Sequence, residues 1–166
     1  MIKIIFILIF QLLFSLAVNA GNLELVTVAK HVDGDTMHVR FKSGKISTIR
    51  FIGVDTPETK HPSKGVEYFG KEASAFTKKN LPLGKLIYLE KDVSETDRYG
   101  RLLRYVWLTK PKNSKSEYEI RKNMFNAILL TNGYAKQVTF PPDVQNSNLF
   151  KKFAKEARTN RKGLWK

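Results

Sequence analysis

Three β-type runs follow one another between residues 23 and 54, separated by turns of only a few residues. Residues 23–31 alternate apolar and polar side chains, with Leu23, Leu25 and the Val26/Val28 pair, which predicts a strand. Asp33-Gly34-Asp35 is a turn signal, and residues 36–41 resume in β-rich composition, so the two runs form a hairpin. Ser43-Gly44 makes the next turn and residues 45–54 supply a third strand. Residues 56–65 have a loop composition. Val66, Phe69, Ala73 and Phe76 recur at helical spacing and predict a helix that ends near Asn80-Leu81-Pro82. Residues 86–90 and 102–108 are further strands around the charged segment 92–101, and residues 109–116 form a lysine-bearing loop. Residues 124–131 read as a helix closed by Gly133 at C′. Leu149, Phe150, Phe153 and Ala157 mark a last helix whose exposed face is crowded with Lys and Arg. Five strands in meander order with interleaved helices predict an α+β fold: a small closed OB-type barrel with about three helices packed outside.

The first twenty residues stand apart from that fold. Lys3 precedes an apolar run, residues 4–16, broken only by Gln11 and Ser15, and Val18-Asn19-Ala20 offers small residues at the positions a signal peptidase reads. The run is short for a membrane span, so residues 1–20 are expected to be a cleaved secretory signal and residues 21–166 the single domain. The expected location is secreted or periplasmic, with an uncleaved membrane anchor as the alternative. Loss of residues 1–20 removes one Lys and no acid, so the formal charge falls from +14 to +13. That excess on a small domain points to a polyanionic partner, either nucleic acid or an anionic surface. The chain has no Cys, which excludes disulfides, thiolate chemistry and Cys-based zinc sites.

Four clusters carry chemistry. Asp33-Gly34-Asp35-Thr36 places two carboxylates at a tight turn. Arg50-Phe51-Ile52-Gly53-Val54-Asp55-Thr56-Pro57-Glu58 runs from a strand into a turn; on a continuous strand Arg50, Ile52 and Val54 would share one face, and Phe51, Gly53 and Asp55 the other. Asp97-Arg98-Tyr99-Gly100-Arg101 sets two guanidinium groups around a glycine, and Lys162-Gly163-Leu164-Trp165 ends the chain. Each alone reads as a turn, a loop or core. Together they supply what phosphodiester hydrolysis needs: an activated water, positive charge on the non-bridging oxygens and help for the leaving alkoxide. Asp35 and Asp55 can hold a hard cation, calcium or magnesium rather than zinc, since no His or Cys accompanies them. Both acids are expected to be partly solvated. Glu58 is a candidate general base, and Arg50 and Arg101 can each offer paired donors to phosphate. His31, His38 and His61 have no spacing that joins them into a ligand set.

The order of these clusters resembles the staphylococcal nuclease family, also called thermonucleases or micrococcal nucleases. The resemblance runs from about Val28 to Trp165 and includes Val54-Asp55-Thr56-Pro57-Glu58-Thr59-Lys60-His61-Pro62 and Glu72-Ala73-Ser74-Ala75-Phe76-Thr77-Lys78-Lys79. It implies a five-stranded OB-type barrel with three helices and a calcium site on Asp35, Asp55 and the Thr56 carbonyl. It also implies catalytic residues Arg50, Glu58 and Arg101, and terminal-phosphate contacts from Arg98 and Tyr99. Implied products carry 3′-phosphates, from DNA and RNA alike, with single strands or frayed duplex preferred. No protein partner is implied and a monomer is expected. Three departures are visible. Where the best-known member has two tyrosines for a nucleobase and its sugar, this chain reads Gln137-Val138-Thr139-Phe140-Pro141, leaving Phe140 as the stacking candidate. Arg104 replaces a small residue and adds a charge close to the Arg101 strand, and residues 110–122 are longer and richer in lysine than the family pattern. Two rivals are a binding module, since OB folds hold strands without cutting them, and a cationic adhesion protein. Both lack a use for Asp35, Asp55 and Glu58 together.

Overall fold

A computed structural model describes residues 23–59 and 65–166; the expected signal segment 1–20 and His61 lie outside the described residues. The barrel closes because β1 (Glu24–His31) pairs along both edges. Thr27 faces Arg40 of β2 (Thr36–Arg40) on one side and Leu86 of β5 (Leu86–Glu90) on the other. β2 is antiparallel to β3 (Ile46–Phe51), β3 is parallel to β6 (Leu102–Trp107), and β6 returns antiparallel to β5. The closed order is β1-β2-β3-β6-β5. Val26, Val28, Val39, Ile49, Phe51 and Leu89 are buried in one continuous core with residues of the helices. The predicted OB-type α+β barrel is therefore observed, but not the predicted meander order: the chain crosses over after β3, so that β6 pairs with β3 in parallel and β5 closes on β1.

Among the described residues four α-helices surround the barrel: α1 (Gly70–Asn80), α2 (Glu117–Asn123), α3 (Phe125–Thr131) and α4 (Ser147–Thr159), with a final 3₁₀ turn at Gly163–Trp165. α3 ends as expected. The Gly133 N–H donates to the Leu130 carbonyl at 3.0 Å and the Tyr134 N–H to the Leu129 carbonyl at 2.8 Å, the paired bonds of a Schellman cap with Gly133 at C′. α2 leaves no trace in the apolar spacing because it buries only Ile120. Ion pairs of Arg121 with Glu156 and of Glu117 with Lys152, at 2.6 and 2.8 Å, hold it against α4 instead. α1 starts at Gly70, not at Val66. Phe69 takes a left-handed backbone (φ 67°) with its ring 5.4 Å from Tyr134, which in turn stacks on Phe76 at 4.0 Å. Packing of two aromatics on Tyr134 thus produces a spacing that mimics one more helical turn, while Val66 itself is exposed.

The third predicted strand is also cut short. β3 ends at Phe51, the chain turns at Ile52-Gly53, and Val54–Asp55 becomes a separate strand, β4, paired with β7 (Lys136–Gln137). The expected alternation of faces through Asp55 therefore breaks at residue 52. Gly53 has φ 77°, and a Cβ there would lie 2.6 Å from the Phe150 ring of α4. The turn is gripped from behind by buried Asn126 of α3, whose Nδ2 donates to the Ile52 carbonyl at 2.9 Å and whose Oδ1 accepts the Val106 N–H at 2.8 Å. Among the described residues no helix is long and apolar enough to cross a membrane.

Gly53→Ala combines left-handed strain with overpacking against Phe150, so it should destabilise the fold by roughly 2–4 kcal/mol. Urea unfolding with an unchanged slope and a lower midpoint is the expected result.

Candidate active site

The turn at Gly53 sends the chain back over the end of β3, and Arg50 receives it. Arg50 Nη1 donates to the Val54 carbonyl at 2.7 Å and to the Phe51 carbonyl at 3.2 Å, and Nη2 donates to Asp55 Oδ1 at 2.9 Å. On its other side Nη1 lies 3.1 Å from Asp35 Oδ2. Asp35 enters from the start of β2, where its carbonyl accepts the Phe51 N–H at 3.0 Å. Its carboxylate also accepts the Thr56 N–H at 2.8 Å and the Thr36 hydroxyl at 3.0 Å. Asp55 is exposed as expected, but Asp35 is only 6% exposed, because three donors compensate its burial. The first cluster splits. Asp33 does not join Asp35; it accepts the Thr59 N–H and hydroxyl, both at 3.2 Å, and so ties down the segment after Glu58.

Asp35, Asp55 and Thr56 are thus gathered at one end of the barrel around a single guanidinium. Thr56 Oγ1 is buried against Gly34 without a hydrogen-bond partner. No three His, Cys, Asp or Glu side chains cluster into a cage among the described residues. A cation at this place would be held by Asp35, Asp55, a backbone carbonyl and water, an all-oxygen set suited to a hard ion. Glu58 is exposed just beyond. Its backbone is clamped both ways by Glu67, whose carboxylate accepts the Glu58 N–H at 3.1 Å and whose N–H donates to the Glu58 carbonyl at 2.9 Å.

Arg50 also lines a cleft of about 500 Å³, together with Arg98, Tyr99, Arg101, Phe140 and Asp143. All four sequence-predicted residues of the Arg98-Tyr99…Arg101 and Phe140 group therefore share one wall system with Arg50. Asp35, Asp55, Thr56 and Glu58 do not line it; Arg50 is what joins the carboxylates to the cleft. Phe140 and Tyr99 are 70% and 67% exposed, so both rings are free of the core. The Arg98 and Arg101 guanidiniums lie 4.7 and 5.4 Å from the centre of the Tyr99 ring.

Arg101 is aimed by Asp97, a residue of the same sequence cluster to which sequence reasoning assigns no role. Asp97 Oδ2 accepts Arg101 Nε at 2.6 Å, while Oδ1 accepts the backbone N–H groups of Tyr99 and Arg101 at 2.9 and 3.0 Å. Partial burial works to raise the Asp97 carboxyl, but the donors from Arg101 and Tyr99 outweigh it and hold it below the usual carboxylate range. The Asp-to-Arg spacing of four residues was the available signal. Arg104 lends the cleft no free charge. It is 3% exposed, pairs with Glu95 and lies 3.6 Å from Glu24. Its hydrogen bond is the main reason the Glu95 carboxyl sits below its ordinary value. Of the remaining candidates, His31 meets the Leu81 carbonyl, His38 meets Thr48, and half-buried Trp165 lies under Arg158 at 4.4 Å.

A five-stranded OB-type barrel whose cleft is walled by arginines, with carboxylates tied behind one of them, defines a class of anion-handling enzymes. Known proteins narrow it. A family model described as "Staphylococcal nuclease homologue" matches residues 48–166. A thermonuclease of Staphylococcus hyicus is 38% identical over 91% of this chain and 81% of its own length. A thermonuclease of Staphylococcus intermedius is 37% identical over 86% of this chain and 76% of its own. Endonuclease YncB of Bacillus subtilis is 35% identical over 89% of this chain and 64% of its own. The chain belongs to the staphylococcal nuclease family, and it is a nuclease, a hydrolase of phosphodiester bonds.

Because the folded Asp97 carboxyl is depressed, its stabilising contribution is complete above the unfolded value of about 3.9 and is lost as pH falls through the lower folded value. Asp97→Asn should therefore lower the melting temperature by about 2–4 °C near pH 7, the shift that ~1 kcal/mol produces in a domain of this size. Melting curves of the two proteins should converge when the pH falls below that window.

Proposed function

We propose that this nuclease is calcium-dependent, cuts both DNA and RNA and leaves 3′-phosphate ends. The observation that carries the reading is the double engagement of Arg50, which lines the cleft and also holds Asp35 and Asp55. Glu58, exposed beside that group, takes a proton from the attacking water. The water oxygen bonds to phosphorus in line with the departing 5′-oxygen, so the P–O5′ bond breaks and the phosphate remains on the 3′ side. Arg50 and Arg101 donate to the phosphoryl oxygens, whose negative charge grows in the transition state. Asp97 keeps the Arg101 fork directed, and Arg98 and Tyr99 bind a neighbouring phosphate.

Asp35, Asp55 and the Thr56 carbonyl would hold the metal, and calcium there would supply positive charge against the phosphoryl oxygens. Two carboxylates, one carbonyl and water would make an irregular shell, and such a shell suits the flexible coordination of calcium better than the tight octahedron of magnesium. Phe140, alone where two tyrosines stand in the best-known member, stacks on a base and leaves base preference flat. The enzyme acts as a monomer, on single strands or frayed duplex. We further propose that residues 1–20 are removed after Ala20 during export, leaving Gly21 as the first residue in the medium or periplasm. A pure binding module is the weaker reading, because it has no use for Asp35, Asp55 and Glu58 in one place.

In metal-stripped buffer, turnover should return with calcium and much less with magnesium or zinc; full activity in chelator sinks the metal assignment. Glu58→Gln should lower turnover by about 10²–10⁴. Phe140→Ala should weaken short oligonucleotides by roughly 1–3 kcal/mol, with little change at the reacting phosphate. Mass spectrometry of exported protein tests the leader, and an intact Met1 on membrane-bound material contradicts it.

A further inference from the structure

Residues 144–166 carry seven Lys or Arg and a single acid, Glu156. That acid is already engaged by Arg121, which grips it with Nη1 at 2.6 Å and Nη2 at 3.0 Å. Lys152 is likewise taken, by Glu117 at 2.8 Å. Both pairs lie on the flank of α4 that faces α2. On the opposite flank Lys151, Lys155 and Arg158 are exposed at i, i+4 and i+7, one helical face about 10 Å long at 1.5 Å per residue. Arg161 and Lys162, just past the helix end, are exposed as well. Among the described residues none of these five forms an ion pair. Like charges at helical spacing repel one another, so the fold gains little from setting Lys151 and Lys155 in one row, while Arg158 also lies over the Trp165 ring at 4.4 Å.

We propose that this face of α4 is a track for the phosphate backbone of nucleic acid that extends beyond the cleft, an inference that rests on the nuclease reading above. The helix begins at the cleft rim. Asp143, which lines the cleft, lies three residues before its cap Asn146, and Phe150 in its first turn packs on Gly53, another cleft residue. From there the row of cations leads away from the site. Lysine and arginine on a rigid helix recognise phosphates without reading bases, which suits an enzyme that must hold strands of any sequence. An anionic membrane is the competing polyanion, and α4 is poorly made for it. Phe150, Phe153 and Ala157 are all buried in the core, so the helix has no large apolar face left to insert among lipids.

The test compares the wild type with the triple variant Lys151→Gln/Lys155→Gln/Lys162→Gln, and with Lys155→Gln alone. None of these positions lines the cleft, and melting temperatures verify that the variants fold. Binding is measured in chelator, where cutting does not interfere, with single strands of about 4 and about 30 nucleotides, a range that brackets single-fold site sizes. Affinity of the triple variant for the long strand should fall on the order of 10-fold near 0.15 M salt. Its plot of log affinity against log salt should flatten by about 2, at about 0.7 for each phosphate no longer neutralised, and the single variant should flatten by about a third of that. Short-strand affinity and turnover should stay at wild-type level. An unchanged salt slope on the long strand overturns the track, as does an equal loss on both lengths, which would mean only a diffuse field. Loss of binding to phosphatidylglycerol vesicles with long-strand binding intact assigns the face to lipid and also overturns it. Wild type that neither binds nor cuts either strand overturns the underlying nuclease reading as well, whereas wild type that does both while the variants match it sinks the track alone.

Discussion

The backbone reversal at Ile52-Gly53 governs how the rest of the site is built. A continuous strand would carry Val54 and Asp55 away from Arg50 at more than about 3 Å per residue. The left-handed conformation of Gly53 turns them back, so that a carbonyl and a carboxylate reach the same guanidinium. Phe150 presses on Gly53 where any side chain would stand, and Asn126 holds the carbonyl of Ile52. The turn is therefore determined jointly by α3, α4 and the barrel. Loosening any one of these contacts acts on the geometry of Arg50, Asp35 and Asp55 together.

Electrostatics on this chain works at two scales. Over the whole molecule the basic excess attracts polyanions at a distance and is screened by salt. Within the site, charges are paired at hydrogen-bond distance: Arg50 with Asp35 and Asp55, and Arg101 with Asp97. The local pairs orient the guanidiniums before any substrate arrives, which reduces the ordering cost of placing two long side chains on one phosphate. Arg104 follows a different logic. Glu95 and neighbouring carbonyls engage Nη1 and Nη2 while Nε is left without a partner, so this arginine is held in the frame and adds no free charge to the cleft.

Much of this was legible in the sequence, for identifiable reasons. Short turns at Asp33-Gly34-Asp35 and Ser43-Gly44 leave little choice but antiparallel pairing, and β1 to β3 follow. Apolar residues of α4 repeat at helical spacing and are buried as that spacing requires. The errors fall where something other than apolar period decides the structure. α2 is held by ion pairs around one buried Ile120, the start of α1 is displaced by Phe69 stacking on Tyr134, and β7 is two residues long. α2 and β7 leave no periodic trace, and Phe69 leaves a false one.

For the site, the sequence by itself determined the chemical inventory: which acids, which arginines, no cysteine, and an order shared with a nuclease family. Residue types set charge and donor capacity whatever the fold does with them. Only the tertiary structure decided which of these groups meet. Asp35 and Asp33 are two residues apart, yet one is buried against Arg50 and the other holds Thr59, because the turn between them points their carboxylates to different neighbours. Arg50 and Arg101 reach one cleft because β3 and β6 pair in parallel, with Arg50 opposite Leu103. Such meetings depend on contacts between residues tens of positions apart, and those are settled by packing of the closed barrel rather than by any local pattern.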